Sequence, residues 1–225
     1  MPRIGITTPT KRAALRYVEA VRNAGSEAVL LLPQTTSNHQ ANLLPDIDGL
    51  LLSCAEDSHL TPDLGQSGRD SVPEAPILRA ALDCDMPILC ICGGMHALNL
   101  ALGGELIHDV SGHTGELTSG KLVSTYHHIW ISLGSKLAAT IGSGGTVRVN
   151  SLHQHGLREA HKSPRMIASA YSPSDFLIEG LESLHHTWAL GIQCHPERAD
   201  EVPRQFQRLF QALAARAEEW RSAKT

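Results

Sequence analysis

The 225-residue sequence contains no apolar run of membrane-spanning length, no block of lysine or arginine, and no paired-cysteine framework. Each absence removes a class of function. A spanning helix needs about 20 consecutive apolar residues, so no membrane partner is expected. A nucleic-acid surface needs a basic stripe against the phosphates. Here the formal net charge is -4 and the most cationic stretch, Arg204 to Arg221, is diluted by Glu218 and Glu219, so no nucleic-acid partner is expected either. Five cysteines (Cys54, Cys84, Cys90, Cys92, Cys194) form an odd set without framework spacing, and the expected location is the reducing cytoplasm. The opening Met1 to Thr7 runs straight into a strand-like segment without the apolar stretch of a signal peptide. His96, His153, His155 and His195 raise a zinc reading. No Cys-x2-Cys or His-Glu-x2-His spacing supports it, so no metal and no other cofactor is expected.

What is present is an ordinary globular composition, 42% hydrophobic and 19% charged with both signs interspersed. A chain of this length can bury roughly 70% of its unfolded surface. Without repeats or a linker-like break, residues 1–225 are expected to form one domain. The first half alternates strand and helix as a parallel sheet with crossover helices does. Strands are expected at Arg3 to Thr7, Ala28 to Leu32, Ile47 to Leu52 and Pro87 to Cys92. Helices are expected over Lys11 to Ala24, with Gly25 as its cap, and over Pro76 to Asp83. The region from Gly103 to Asn150 is rich in Gly, Ser, Thr and β-branched residues and is expected to form strands and hairpins covering one end of the sheet. Trp188 to Cys194 reads as a central strand. Pro203 to Trp220 reads as a docking helix with Val202, Phe206, Leu209, Phe210, Leu213 and Ala217 on one face.

Cys92 is the most informative residue. It ends a short apolar strand, and Gly93 to Leu100 reads as a helix that begins directly after it. A thiol on such a tight turn stands above the sheet edge, needs small neighbours, and faces a helix N-terminus that favours thiolate. The alternative is a buried small hydrophobe, which is the better reading for Cys54, Cys84 and Cys90. About a hundred positions later, His195-Pro196-Glu197 follows an apolar strand and supplies an imidazole with a carboxylate two residues on. Those are the remaining parts of a Cys-His-Glu triad: nucleophile, proton carrier and the acid that orients it. One of thirteen histidines would more often be a surface or satisfied core residue. Its place at the strand end, Pro196 and the Glu197 spacing raise this one.

Cys92-Gly93-Gly94-Met95, His195-Pro196-Glu197 and Val149-Asn150-Ser151-Leu152-His153 together resemble the class I glutamine amidotransferase superfamily, in particular its γ-glutamyl-γ-aminobutyrate hydrolase branch. The Pro2 to Thr7 opening, Arg69-Asp70, the Ala97 to Gly104 helix exit and the Asp175 to Glu179 segment match in the same order. The resemblance implies an α/β flavodoxin-like three-layer sandwich, with a mostly parallel central sheet, helices on both faces and an added β-hairpin region. It implies a small γ-glutamyl amine as substrate, hydrolysed through a glutamyl thioester on Cys92. Gly93 N–H is one oxyanion donor candidate, and by resemblance the loop around Cys54 and Ala55 supplies the second. Ser151 and His153 would hold the amino-acid end of the glutamyl group. His96, next to the elbow, is included among the substrate-side residues.

The sequence departs from the branch at Ser53-Cys54-Ala55-Glu56-Asp57, where Pro-Gly-Gly-x-Asp is usual. It also differs at Cys90, Gly93 and His96 around the elbow, and at His155, where glutamine is usual. Gly-Gly after the cysteine occurs in other branches, including cobyric acid synthase-like ones. Two alternatives therefore stand beside the hydrolase: a glutaminase subunit feeding ammonia to a separate synthase partner, and a member that has lost turnover and binds a ligand or partner. Oligomeric state is left open, a homodimer included.

Overall fold

Short apolar runs bounded by turns become the strands of one large sheet. The computed structural model describes residues 1–8, 11–32, 44–53, 75–118 and 121–224. Strands β1 (Arg3–Thr7), β2 (Glu27–Leu31), β3 (Gly49–Leu52) and β4 (Ile88–Ile91) alternate with helices α1 (Leu15–Asn23) and α2 (Ala75–Asp83); α3 (Gly93–Ala101) follows β4. Then come β5 (Glu116–Thr118), β6 (Lys121–Val123), β7 (Thr125–Ile131), α4 (Lys136–Ile141), β8 (Gly145–Ser151), β9 (Met166–Tyr171), β10 (Ile178–Ser183), β11 (Ala189–Ile192) and α5 (Arg208–Ala223).

The nine-stranded sheet has the order β2-β1-β3-β4-β11-β10-β9-β7-β8, and β5-β6 form a separate ribbon. From β2 to β11 every pairing is parallel; from β11 to β8 every pairing is antiparallel. β3, β4 and β11 are buried along their whole length, as strands covered on both faces must be. Side-chain alternation divides them between two layers. Ile4, Ile6, Leu89, Ile91, Leu190 and Ile192 pack with Tyr17, Phe206, Phe210 and Leu213 on one face. Leu50, Leu52, Ile88, Cys90 and Ala189 pack with Ile77, Leu78, Met95 and Leu98 on the other. This is the expected α/β sandwich with helices on both faces.

Local signals account for several boundaries. Gly25, at φ +82, ends α1: its N–H reaches Arg22 O at 2.9 Å and Ser26 N–H reaches Val21 O at 3.2 Å, a Schellman closure. α1 itself starts at Leu15, four residues later than expected, after a turn. The docking helix begins as a 3-10 turn over Arg204–Gln207, and all six residues assigned to its inner face are buried.

The middle region needs a correction. β7 and β8 do not cover one end of the sheet; they extend it, through Trp130↔Tyr171 and Ile131↔Ala170. Both strands alternate exposed with less exposed residues over much of their length, and α4 packs in this region, with Leu137 and Ile141 in one cluster with Ile129, Ile131 and Val149. A half-buried antiparallel strand needs only one covered face, so it can serve as the sheet's outer edge.

Strand direction then gathers polar residues on one rim. The C-terminal ends of β4, β11 and β8 and the N-terminal ends of β7 and β10 all lie at the same edge of the sheet. Ligands of open α/β sheets bind at such an edge.

Candidate active site

The strand-to-helix turn expected at Cys92 is present and is strained. Cys92 has φ 54 and ψ -113, a conformation that costs a non-glycine residue about 1–3 kcal/mol. Neighbouring contacts hold it. Its N–H donates to Ile192 O at 2.8 Å, and its carbonyl accepts from Met95 N at 2.9 Å and His96 N at 3.3 Å. Gly94 must be glycine for another reason: a Cβ there would run into the Leu52 carbonyl at the end of β3. The glycine therefore lets α3 seat against the sheet directly behind the thiol. The first N–H groups of α3, Gly93 among them, have no partner within the helix and lie beside Cys92.

Gln193, which sequence reasoning missed, follows β11 and donates from Nε2 to Cys92 Sγ at 3.5 Å. Its Oε1 lies 2.7 Å from His96 Nε2. Burial pushes the His96 pKa down to about 4, so its imidazole is neutral near pH 7 and donates through Nε2. His96 thus orients the Gln193 amide towards the sulfur, and its Nε2 is occupied in doing so. Cys90 and Cys194 are the other buried cysteines among the described residues. Burial raises both thiols, and Glu179 and Glu197 push Cys194 further, which leaves each as an inert thiol.

His195 and Glu197 are brought together as expected: His195 Nδ1 lies 2.7 Å from Glu197 Oε1, with both side chains buried. With the proton on Nδ1 held by the carboxylate, the lone pair is on Nε2, which is buried and has no hydrogen-bond partner among the described residues. Asn150 brackets this histidine's backbone, accepting from His195 N–H at 2.8 Å and donating to His195 O at 3.1 Å. Glu201 anchors Asn150 at 3.0 Å and also accepts from Ser124. Asn150 lies in the Val149 to His153 motif, yet only the meeting of β8's end with the loop after β11 reveals this role.

Ser151 and His153 lie on the same rim but face a polar cluster that sequence reasoning did not foresee. Ser151 Oγ donates to His113 O at 2.9 Å, and His153 Nδ1 donates to His155 O at 2.8 Å. Glu179, at the start of β10, is buried with them, and burial raises its carboxyl pKa. Burial together with neighbouring His113 keeps His153 well below the usual imidazole range. Cys54 and Ala55 lie outside the described residues; of that loop only Ser53 is described, its Oγ donating to Thr7 O at 2.6 Å.

Among the described residues no helix is long and apolar enough to cross a membrane. Solved structures share the fold. The glutaminase domain of Trypanosoma brucei CTPS, with bound acivicin, superposes with TM-score 0.70 at 13% identity, covering 97% of this chain and 94% of that one. A glutamine amidotransferase from Thermotoga maritima superposes with TM-score 0.63 at 17% identity, covering 97% and 84%. In sequence, the γ-glutamyl-γ-aminobutyrate hydrolase PuuD of Escherichia coli K12 is 31% identical over 200 residues, 81% of this chain and 77% of that protein. The Peptidase C26 family profile matches residues 5–197, from the first strand through Glu197. The chain therefore belongs to the Peptidase C26 family, within the class I glutamine amidotransferase-like proteins.

Proposed function

We propose that this protein is a cysteine hydrolase that cleaves the γ-glutamyl amide bond of a small γ-glutamyl amine, with Cys92, His195 and Glu197 as its catalytic triad. The observation that carries the reading is the buried His195–Glu197 pair, 2.7 Å apart with Nε2 left open, in the loop after the strand that pairs with the Cys92 strand. The similarity to the Escherichia coli hydrolase supports the substrate class.

In the first half-reaction the Cys92 proton passes to His195 Nε2 and sulfur attacks the γ-carbonyl carbon. The N–H of Gly93 and the helix dipole of α3 stabilise the oxyanion; the loop around Cys54 and Ala55 is proposed to supply the second donor. Collapse breaks the C–N bond, His195 protonates the departing amine, and a glutamyl thioester remains on Cys92. In the second half-reaction His195 takes a proton from water, hydroxide adds to the thioester, and the sulfur leaves with glutamate as product. Glu197 keeps the imidazole in the right tautomer and stabilises its cation. The Gln193 N–H near the sulfur stabilises thiolate as reactant and leaving group.

The purified chain is expected to release glutamate without a partner from at least one member of a panel of γ-glutamyl amines that includes γ-glutamyl-γ-aminobutyrate and glutamine. Cys92→Ala is expected to lower kcat by about 10⁴-fold or more and His195→Ala by about 10³-fold or more. Mass spectrometry of quenched enzyme is expected to find a glutamyl adduct on the Cys92 peptide. No glutamate from the whole panel, or turnover that survives Cys92→Ala, overturns the proposal. A glutaminase subunit would instead show a large rise in turnover on addition of a synthase.

A further inference from the structure

On the same rim, a second constellation stands outside the Cys92, His195 and Glu197 triad. His113, from the segment between α3 and β5, His153, just after β8, and Glu179, at the start of β10, each present a ligand-type atom, and those atoms lie within 4.8 Å of one another. We infer that His113, His153 and Glu179 form a binding site for a divalent first-row transition ion, with zinc the fitting probe.

The hydrogen bonds around each side chain bear on which atoms can donate to an ion. His153 gives its Nδ1–H to the His155 carbonyl at 2.8 Å, so its lone pair is on Nε2, which is buried without a hydrogen bond among the described residues. That Nε2 stands 3.8 Å from Glu179 Oε1. His113 places Nε2 2.7 Å from Asp175 Oδ2, which leaves Nδ1 as the lone-pair nitrogen. Ser151 Oγ lies 3.3 Å from Nδ1, but that hydroxyl gives its one hydrogen to the His113 carbonyl. Glu179 Oε2 has no hydrogen-bond partner among the described residues, and Oε1 has only the long contacts to His127 Nε2 at 3.4 Å and His153 Nε2 at 3.8 Å. One ring nitrogen of each histidine and a carboxylate oxygen thus converge in a region where their side chains are at most 4% exposed.

Buried acceptors that face one another are costly unless a proton or a metal ion lies between them, and a metal ion satisfies all three at once. An N₂O donor set suits zinc and its first-row neighbours. The outer contacts fit as well, since metal-bound histidines commonly hand their second N–H to a carboxylate or backbone carbonyl, as His113 does to Asp175 and His153 to His155. Tetrahedral zinc with bonds of about 2.0–2.1 Å needs ligand atoms about 3.4 Å apart, so an ion would draw the three groups inward by side-chain rotation. His127, whose Nε2 lies 3.4 Å from Glu179 Oε1 and whose ring packs edge-on to His113, borders the same space.

The test titrates chelator-treated full-length protein with zinc by calorimetry and with cobalt by absorption, in the absence of substrate. One equivalent of zinc per chain is expected, unchanged in Cys92→Ser. Glu179→Gln and His113→Ala are each expected to weaken binding about 100-fold, and Asp175→Asn, which leaves all three ligands in place, about tenfold. Folding of each variant is checked by circular dichroism. X-ray absorption of the zinc-loaded wild type gives a variant-independent readout, expected to report only nitrogen and oxygen neighbours. No saturable binding, sulfur in the coordination shell, binding lost in Cys92→Ser, or folded Glu179→Gln with wild-type affinity would each overturn the site. Because no turnover is read, this result and the hydrolase proposal fail or stand separately.

Discussion

The parallel and antiparallel halves of the sheet meet between β11 and β10 and treat their polar groups differently. In the parallel half, strain at Cys92 is braced by backbone hydrogen bonds, and the sulfur, Gln193 and His96 form a connected series. In the antiparallel half, buried Glu179 and His153 and half-buried His127 carry buried side-chain atoms with no close hydrogen bond among the described residues. The first region resembles a finished machine part. The second resembles a receptacle whose stability is completed by what enters it. The contrast follows from construction: parallel strands covered on both faces leave only their ends for polar groups, whereas the antiparallel strands bring partly polar faces together at the same rim.

The comparison can be broken most severely at Gly94. Alanine there meets backbone rather than a movable side chain, so Gly94→Ala is expected to cost about 3 kcal/mol in denaturant unfolding and to displace the thiol. A loss below about 1 kcal/mol would mean that the parallel half is more compliant than described.

Asn150 joins the two halves. Asn150→Ala removes both hydrogen bonds to the His195 backbone and is expected to lower kcat about 100-fold with little change in KM, because the histidine loses its aim rather than its contact with substrate. Steady-state kinetics showing a KM effect alone would detach Asn150 from the histidine's positioning.

His96 sharpens the picture through pH. Its folded pKa, about 4, lies below the ordinary 6.5, so the unfolded chain binds a proton first as pH falls. The stability it contributes is therefore present above pH 6.5 and is lost progressively down towards pH 4. Glu179, with a raised pKa, acts oppositely: its contribution is full below its ordinary 4.5 and is lost as pH rises. Replacing His96 by Gln is expected to reduce the loss of unfolding free energy between pH 6.5 and about pH 5 by about 1.5 kcal/mol. Parallel wild-type and variant curves would remove His96 from the account.

The smallest effect belongs to Phe176, which also has positive φ, at 60°, but is 71% exposed. Phe176→Gly is expected to stabilise the fold by about 0.5–1 kcal/mol in thermal unfolding. Strain at Cys92 would then differ from strain at Phe176 in being tied to the reactive group. Destabilisation by Phe176→Gly would show instead that the aromatic ring has a packing role.

Legibility in the sequence followed locality. β1, α2, α3 and the Gly25 cap were readable because their signals are apolar runs, helical spacing and a glycine within a few residues. The His195–Glu197 pair was readable because two residues separate the partners. Gln193 and Asn150 were not, since a polar side chain near an apolar strand has no assigned partner until strands are paired. The β7–β8 edge was misplaced because alternation predicts a half-buried strand without saying which sheet it joins. His113, His153 and Glu179 carry no ligand spacing, being 40 and 26 positions apart in the chain.

The sequence by itself determined a thiol at a strand-to-helix turn, a histidine with its carboxylate, and an α/β alternation to carry them, because all three depend on near neighbours along the chain. Tertiary structure alone decided that β4 lies beside β11, that β8 and β10 end on the same rim, and therefore which buried groups are satisfied and which remain open. Those are consequences of strand order and direction, which unite residues far apart in the chain through pairing and burial that no local pattern encodes.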